Sequence, residues 1–404
     1  MIRRDHAVPA RWLLLAIFLL SSAINYLDRQ SLATLAPLVR AEFHLSNADY
    51  GFILAAFSIT YAASAPVAGM LIDRAGLNRV ISLAIGLWSC AGIATGFTRG
   101  FSGLLGCRAV LGVGESAGFP AAGKAIRQYL RPAERALGNA LNQTGVSLGM
   151  VLAPPLATWI AVEAGWRAAF VVTGVLGLAW IPVWNWAARR RGAAAPDEGG
   201  HARAAGLLSD RRLWVFVLAN ALSMIGYSLW TNWTTLYLVD VHGLTVAQAA
   251  WYAWIPPLAA TLGGFAGGWL SFRLIRRGSS PPRARFRACL LASVVALATA
   301  AVPAAPTAGW AAAAISLSIA AVAAFSVNMY TLPLDVFSGA HAAFAVACLT
   351  ASYGAVQAIV SPAFGRLIDL YGYPPVTAIA AVMPLAASTV LWFTGSIGTE
   401  KPAA

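Results

Sequence analysis

Apolar runs of about eighteen residues or more, the length a helix needs to cross a bilayer, recur about twelve times along this chain between short polar breaks. That pattern leaves few folds open. In hydrocarbon every backbone amide must be satisfied inside the protein, so only helices and closed barrels span a membrane, and the alternating strands of about ten residues that build a barrel are absent. Of the 404 residues, 59% are hydrophobic and only 11% charged, against roughly a quarter charged in soluble domains. The expected fold class is all-α and integral to the membrane, with twelve transmembrane helices.

The net charge of +13 invites a nucleic-acid reading, but the basic residues sit in short loops and no domain-sized, aromatic-interleaved patch carries them. Topology explains them better. With the N-terminus inside, Arg11, Arg74, Arg79, Arg131, Arg135, Arg189, Arg211, Arg212, Arg273, Arg276, Arg277, Arg283, Arg285 and Arg287 all fall on the cytoplasmic side, with Arg3, Arg4, Arg190, Arg191, Arg203 and Lys401. Arg40, Arg99, Arg167 and Arg366 are left for the other face, an asymmetry that places both termini in the cytoplasm and suits a bacterial-type inner membrane. The N-terminal apolar run continues past the length of a signal peptide and is read as the first span. Cys90, Cys107, Cys289 and Cys348 lie singly in or beside spans, in no metal or disulfide spacing.

The expected spans are 11–39, 50–72, 79–99, 103–130, 136–162 and 167–187, then 213–238, 246–272, 285–305, 308–334, 341–369 and 374–395. A charged, Gly/Ala-rich stretch without apolar period follows the sixth, so the expected division is a six-helix bundle over 1–188, a cytoplasmic linker over 189–212 and a second bundle over 213–404. Two echoes relate the halves. Gly69-Met-Leu-Ile-Asp73-Arg74-Ala-Gly76 follows the second span and Gly267-Gly-Trp-Leu-Ser-Phe272-Arg273 the eighth; Pro154-Pro155 leads to Gly165-Trp166, as Pro362 leads to Gly372-Tyr373. Similar signals at corresponding positions of two halves are the pattern of transporters with a site between repeats.

Ions inside the spans narrow the reading. Asn25-Tyr26-Leu27-Asp28-Arg29 lies in the middle of the first span, and Arg108 and Glu115 lie seven residues apart, two turns along one face, in the fourth. On insertion scales each such ion costs roughly 2.5–3.5 kcal/mol at bilayer depth, so it needs a cavity or partner and marks function by default. Asn25, Asp28 and Arg29 are spaced to share a face, with Tyr26 one turn before Arg29. Arg29 and Arg108 have the planar fork that grips a carboxylate at any physiological pH, while a substrate that engages them frees Asp28 and Glu115 to take protons. A structural reading stands beside this one: Arg29 paired with Asp28 along an aqueous cavity, and Arg108 and Glu115 as buried pairs that fix packing. Gly112, Gly114 and Gly118 thin the fourth helix for a close neighbour.

These residues carry a resemblance. The Gly69–Arg79 loop resembles the G-x-x-x-D-R-x-G-x-x-R signature of the major facilitator superfamily; Asn25–Arg29, Arg108 with Glu115, and Gly165-Trp166-Arg167-Ala-Ala-Phe170 together look like its anion:cation symporter family. The resemblance implies two pseudo-symmetric six-helix bundles that rock about a central site, Asp28 and Glu115 as proton-coupling residues, and Arg108 linking substrate to proton. It points to Tyr61, Gln143 and Asn232 as substrate-facing. Tyr26, Arg29, Trp230, Tyr353 and Gln357 complete the candidate substrate set, and polar residues at depth serve equally as glue between helices. Asp73, Arg74, Arg79, Glu134 and Arg135 are candidates for a cytoplasmic gate of salt bridges, or plain surface charge. The second half departs from the family: Phe272 stands where an acid is common, no proline follows Trp230, and Ser352, Tyr353 and Gln357 occupy the region where relatives carry asparagine.

The expectation is a monomeric secondary transporter, not an enzyme, that couples protons to uptake of an organic carboxylate, a sugar acid such as a hexuronate or aldonate. Its partners are that small anion and the lipid bilayer; no nucleic acid, metal or cofactor is implied beyond the coupling proton. Exchange of anions and export of an organic acid or amphipathic compound remain the alternatives. Against export, the fifth span reads Gly149-Met-Val-Leu-Ala-Pro154-Pro155 and lacks the G-P-x-x-G-G run of exporting relatives. No nucleophile–base set at depth supports an embedded enzyme.

Overall fold

A computed structural model describes residues 8–131, 134–189, 204–337 and 339–393. The helices are α1 (Val8–Phe43), α2 (Asn47–Ala75), α3 (Leu77–Thr95), α4 (Phe101–Glu115), α5 (Gly118–Tyr129), α6 (Arg135–Ala164), α7 (Trp166–Arg189), α8 (Arg211–His242), α9 (Val246–Ala253), α10 (Ile255–Arg276), α11 (Pro281–Ala296), α12 (Ala308–Val336), α13 (Gly339–Tyr371) and α14 (Tyr373–Phe393). No strand occurs among the described residues, and most of the expected 189–212 linker lies outside them.

Eleven helices are long and apolar enough to cross a membrane, where the sequence suggests about twelve. The difference is the fourth span, which is two helices rather than one. It breaks at Ser116 and Ala117, directly after Glu115, and α5 restarts at Gly118. The eighth span is interrupted at Trp254, where Pro256 and Pro257 follow and cannot donate to the preceding turn. The ninth tightens into a 3-10 segment, Leu297–Ala304, that contains Pro303.

The chain divides into two compact units, Met1–Leu45 with Phe52–Gly199, and Ser46–Gly51 with Gly200–Ala404. In the first, Trp180 and Trp184 of α7 stack 5.3 Å apart, Phe18 of α1 packs edge-on against both, and the Trp180 indole donates to the Ile17 carbonyl at 2.6 Å. Gly112 of α4 lies against Phe57 and Thr60 of α2, and Gly114 against Ala84 and Trp88 of α3, so that a methyl at either would overlap backbone. Gly118, by contrast, faces open space. These two close approaches hold α4 between α2 and α3 and fix where Arg108 and Glu115 point.

In the second unit, Phe216, Phe325, Met329, Leu332 and Leu349 form the main apolar core, and Gly263 and Gly267 of α10 bring it against Ala320 and Ala324 of α12. The first turn of α2 belongs to this unit: the Asp369 carboxylate accepts from the Asn47 and Ala48 amides at 3.0 and 2.9 Å and from the Asn47 side chain at 2.8 Å. A carboxylate at a helix N-terminus answers amides that the helix leaves open.

The structure also brings out a tighter internal repeat than either echo noted above. Gly69–Gly76 and Gly365–Gly372 both read G-x-L-I-D-x-x-G, and each ends on a glycine of positive φ, 86° and 72°, that joins two consecutive helices in one residue. Gly165 makes the same joint between α6 and α7, with φ 83°. A side chain at such a joint would be strained, which is why glycine recurs there.

Candidate functional site

Within the first unit, α1 presents Ser22, Asn25, Tyr26 and Arg29 to a cleft closed by Tyr61 of α2, Glu115 of α4, Phe119 of α5 and Asn142 of α6. The α1 residues are three or four apart, so they form one stripe along the helix. At its centre Arg29 donates through Nε (2.9 Å) and a terminal nitrogen (2.5 Å) to Oε2 of Glu115. The guanidinium lies over three rings, Tyr26, Phe57 and Tyr61, with centroids 4.8, 4.7 and 5.2 Å away. Aromatic faces stabilise a cation that has lost part of its water, and here they also fix the plane of the fork. The space that a water's centre can reach in the cleft is about 20 Å³, room for roughly one ordered water.

Asp28, the neighbour of Arg29, points elsewhere. Successive residues on a helix are about 100° apart, and that rotation takes Asp28 away from the cleft toward α3 and α7. Its Oδ1 accepts from the Thr173 hydroxyl at 2.6 Å and sits over Gly92 of α3, where an added Cβ would lie 3.1 Å away. The Arg108 guanidinium lies over the Phe170 ring of α7 at 5.4 Å. No Asp28–Arg29 ion pair is present: Arg29 joins Glu115 across α1 and α4, while Asp28 meets Thr173 of α7 in a second centre, with Arg108 over Phe170 of the same helix.

Both centres are buried and incompletely satisfied. Asp28, Arg108 and Glu115 are 2%, 2% and 1% exposed. Asn25 Nδ2, Asp28 Oδ2, Arg108 Nε and one of its terminal nitrogens, and Glu115 Oε1 are buried without a hydrogen-bond partner. A buried charged atom left open costs more than a neutral one.

The remaining candidates are dispersed. Gln143 is exposed while its neighbour Asn142 lines the cleft and accepts from Ser22 at 2.8 Å. Trp230 is buried, its indole donating to Ser318 at 3.1 Å, and the Asn232 amide donates to the Ser228 carbonyl of its own helix at 2.9 Å. Tyr353 packs edge-on against Tyr227 at 6.0 Å, and Gln357 is half-buried on α13. Among the gating candidates, Asp73 pairs with Lys124 at 3.1 Å, the Glu134 carboxylate accepts from the Arg131 amide at 3.1 Å, and Arg135 reaches the Arg127 carbonyl at 3.5 Å, all inside the first unit. Arg74 and Arg79 are exposed. Sequence reasoning passed over Thr173 and Phe57, since a threonine or phenylalanine in an apolar helix carries no signal of its own.

Comparison with known proteins bears on the fold and the family. The Major Facilitator Superfamily model matches residues 18–347. The chain is 27% identical to the hexuronate transporter of Escherichia coli strain K12, over 97% of this chain and 95% of that one, and 29% identical to a probable sulfoacetate transporter of Cupriavidus necator, over 90% and 89%. Its fold is that of a bacterial homologue of the human lysosomal transporter Spinster, solved inward-facing and occupied, with a TM-score of 0.80 at 20% identity over 98% and 99% of the two chains. With its helical fold, spans and intramembrane ions, this multi-pass membrane protein is a transporter and belongs to the major facilitator superfamily.

Proposed function

We propose that the protein is a proton-coupled symporter that takes up an organic carboxylate, a sugar acid of the hexuronate or aldonate class, across a bacterial-type inner membrane by alternating access. The observation that carries this reading is the Arg29–Glu115 pair within the three-ring box. A substrate carboxylate can take the place of Glu115 on the guanidinium fork, and the rings keep Arg29 oriented while it does so. Glu115 is then a buried carboxylate without its counter-ion. Leaving such a charge unpaired costs roughly 3–5 kcal/mol, and uptake of a proton removes that cost. Anion and proton thus bind together, with a coupling on the order of a hundredfold or more, and by reciprocity each draws in the other.

Tyr26, Tyr61, Asn25 and Asn142 supply hydroxyl and amide groups around the fork, a setting for a hydroxylated chain beyond the carboxylate. The hexuronate transporter among the relatives supports the sugar-acid class. A second reading, a short sulfonated carboxylate, is favoured by the sulfoacetate relative and by the small clearance of the cleft, because sulfonate oxygens fit the same fork. The basic loops support cytoplasmic termini.

Uptake of radiolabelled D-glucuronate, D-galacturonate, D-galactonate and sulfoacetate into proteoliposomes, with and without an inward proton gradient, tests both readings. Gradient-driven accumulation that Glu115→Gln converts to simple equilibration is the expected result. Accumulation indifferent to the gradient, with Asp28→Asn and Glu115→Gln fully active, sinks the coupling.

A further inference from the structure

Asp28 is 2% exposed and lies outside the anion cleft, so whatever sets its protonation is not the substrate's own contacts. Four elements surround it. From α4 it faces Arg108 and, farther off, Glu115; from its own helix, Arg29; from α3, the backbone at Gly92; from α7, Thr173. Thr173 alone touches the carboxylate with a group that both donates and accepts. Its hydroxyl has one hydrogen but two acceptors in reach, Asp28 Oδ1 at 2.6 Å and the Phe170 carbonyl one turn back at 3.1 Å. The second is the usual local refuge of a helical threonine hydroxyl.

We infer that Thr173 is the positioning residue for the protonation of Asp28: its hydroxyl donates to Oδ1 while the carboxylate is ionised, leaving Oδ2 as the oxygen that takes the proton. The observation at Oδ2 is independent of this hydrogen bond, for that atom is buried and has no partner. The proton comes from the aqueous phase and forms one O–H bond on Asp28; Thr173 neither gains nor loses one. Once the carboxyl is neutral, the charge-assisted part of the bond to Oδ1 is gone, and the threonine hydrogen is free to turn to the Phe170 carbonyl. Thr173 thus keeps its own hydroxyl hydrogen bonded in both states, without a rearrangement of the backbone. The same helix sets Phe170 against Arg108, so α7 holds the acid and its arginine from one side.

The inference rests on the proton-coupled reading of the transporter, and its test separates the two. Infrared difference spectra of the purified full-length protein across a pH titration read the protonated carboxyl band that Asp28→Asn abolishes, with no substrate present. In Thr173→Val and Thr173→Ala the midpoint of that band moves to more alkaline pH by about one unit, roughly a tenfold change in proton occupancy, because a hydrogen bond to the ionised form is lost. Thr173→Ser restores the wild-type midpoint. A midpoint unmoved in whichever of the Val and Ala variants folds, or moved equally by Ser, overturns the assignment. Transport of D-glucuronate then adds a separate readout: the pH profile of uptake shifts while KM at acidic pH is kept. A normal infrared response in a protein whose uptake ignores the proton gradient would refute the symport reading and leave the Thr173 assignment standing.

Discussion

The two units are built alike in their packing and differently in what they bury. Each has a glycine seam, Gly112 and Gly114 on α4 in the first and Gly263 and Gly267 on α10 in the second, that lets helices approach backbone to backbone. Yet among the described residues the buried charges, Asp28, Arg108 and Glu115, all lie in the first unit. The second unit buries neutral groups in hydrogen bonds: Trp230 and Thr299 on Ser318, Ser293 on Ser388 and the Pro384 carbonyl, Asn220 on Ser352 and the Leu349 carbonyl. A neutral hydrogen bond nets about 1 kcal/mol and is content to stay made. An ion with an open lone pair or donor is not, which fits the exchange of partners proposed for the first unit.

That contrast is broken most directly at Arg29. Arg29→Lys keeps the charge but loses the fork and its stacking on three rings, and is expected to weaken anion binding about a hundredfold, measured as KM or by ligand-induced tryptophan fluorescence. Ser318→Ala, which removes the partner of Trp230, should leave anion affinity within about twofold. Comparable losses in both variants would end the division of roles.

The likeness is tested by Gly112→Ala and Gly263→Ala. A Cβ on Gly112 would lie 2.5 Å from the Phe57 carbonyl oxygen, and one on Gly263 2.5 Å from the Ala320 Cα, so both variants should lose about 1–3 kcal/mol of stability through overpacking. Gly118→Ala, at a glycine facing open space, should be nearly neutral. Thermal midpoints in detergent check all three, and a large effect confined to one unit would show that the seams are not equivalent.

How much of this was legible in the sequence follows from what each feature depends on. The apolar runs and the intramembrane charges need only composition along the chain, so the helices and the identity of Asp28, Arg29, Arg108 and Glu115 could be read directly. The pairing of Arg29 with Glu115 could not. Asp28 and Arg29 are adjacent in sequence, and which neighbour each meets depends on the rotation of α1 against α4 and α7. Glu115 also ends α4, and the break falls where Pro120 cannot donate to the Ser116 carbonyl four residues back; Gly114, Ser116 and Gly118 weaken the helix too, but they read equally as packing residues. Asn142 rather than Gln143 lines the cleft for the same reason, one step of helical rotation.

Trp230 sharpens the comparison at smaller scale. The sequence puts it in the substrate set, whereas its indole is engaged with Ser318 inside the second unit. Trp230→Phe is expected to cost about 1 kcal/mol of stability, the worth of the lost hydrogen bond, with transport kinetics unchanged. A tenfold rise in KM at unaltered thermal stability would return Trp230 to the anion.

The smallest effect is expected at Asp210, a carboxylate of the second unit that lies outside the spans. It caps α8, accepting from the Arg212 amide at 2.8 Å and from the Arg212 guanidinium at 2.9 Å. Those hydrogen bonds, the side-chain ones foremost, hold its carboxyl below the usual aspartate range. A folded-state value depressed in this way contributes stability above the unfolded value of about 3.9, and that contribution fades as pH falls through the folded one. The pair is solvated, so Asp210→Ala should cost no more than about 1 kcal/mol at pH 7, and the gap in thermal midpoint from wild type should narrow below about pH 4. The proposed coupling assigns protons to Asp28 and Glu115 and none to this carboxylate, so the pH profile of uptake should be the same with and without it; a shifted profile in Asp210→Ala would extend the proposed proton machinery beyond the first unit.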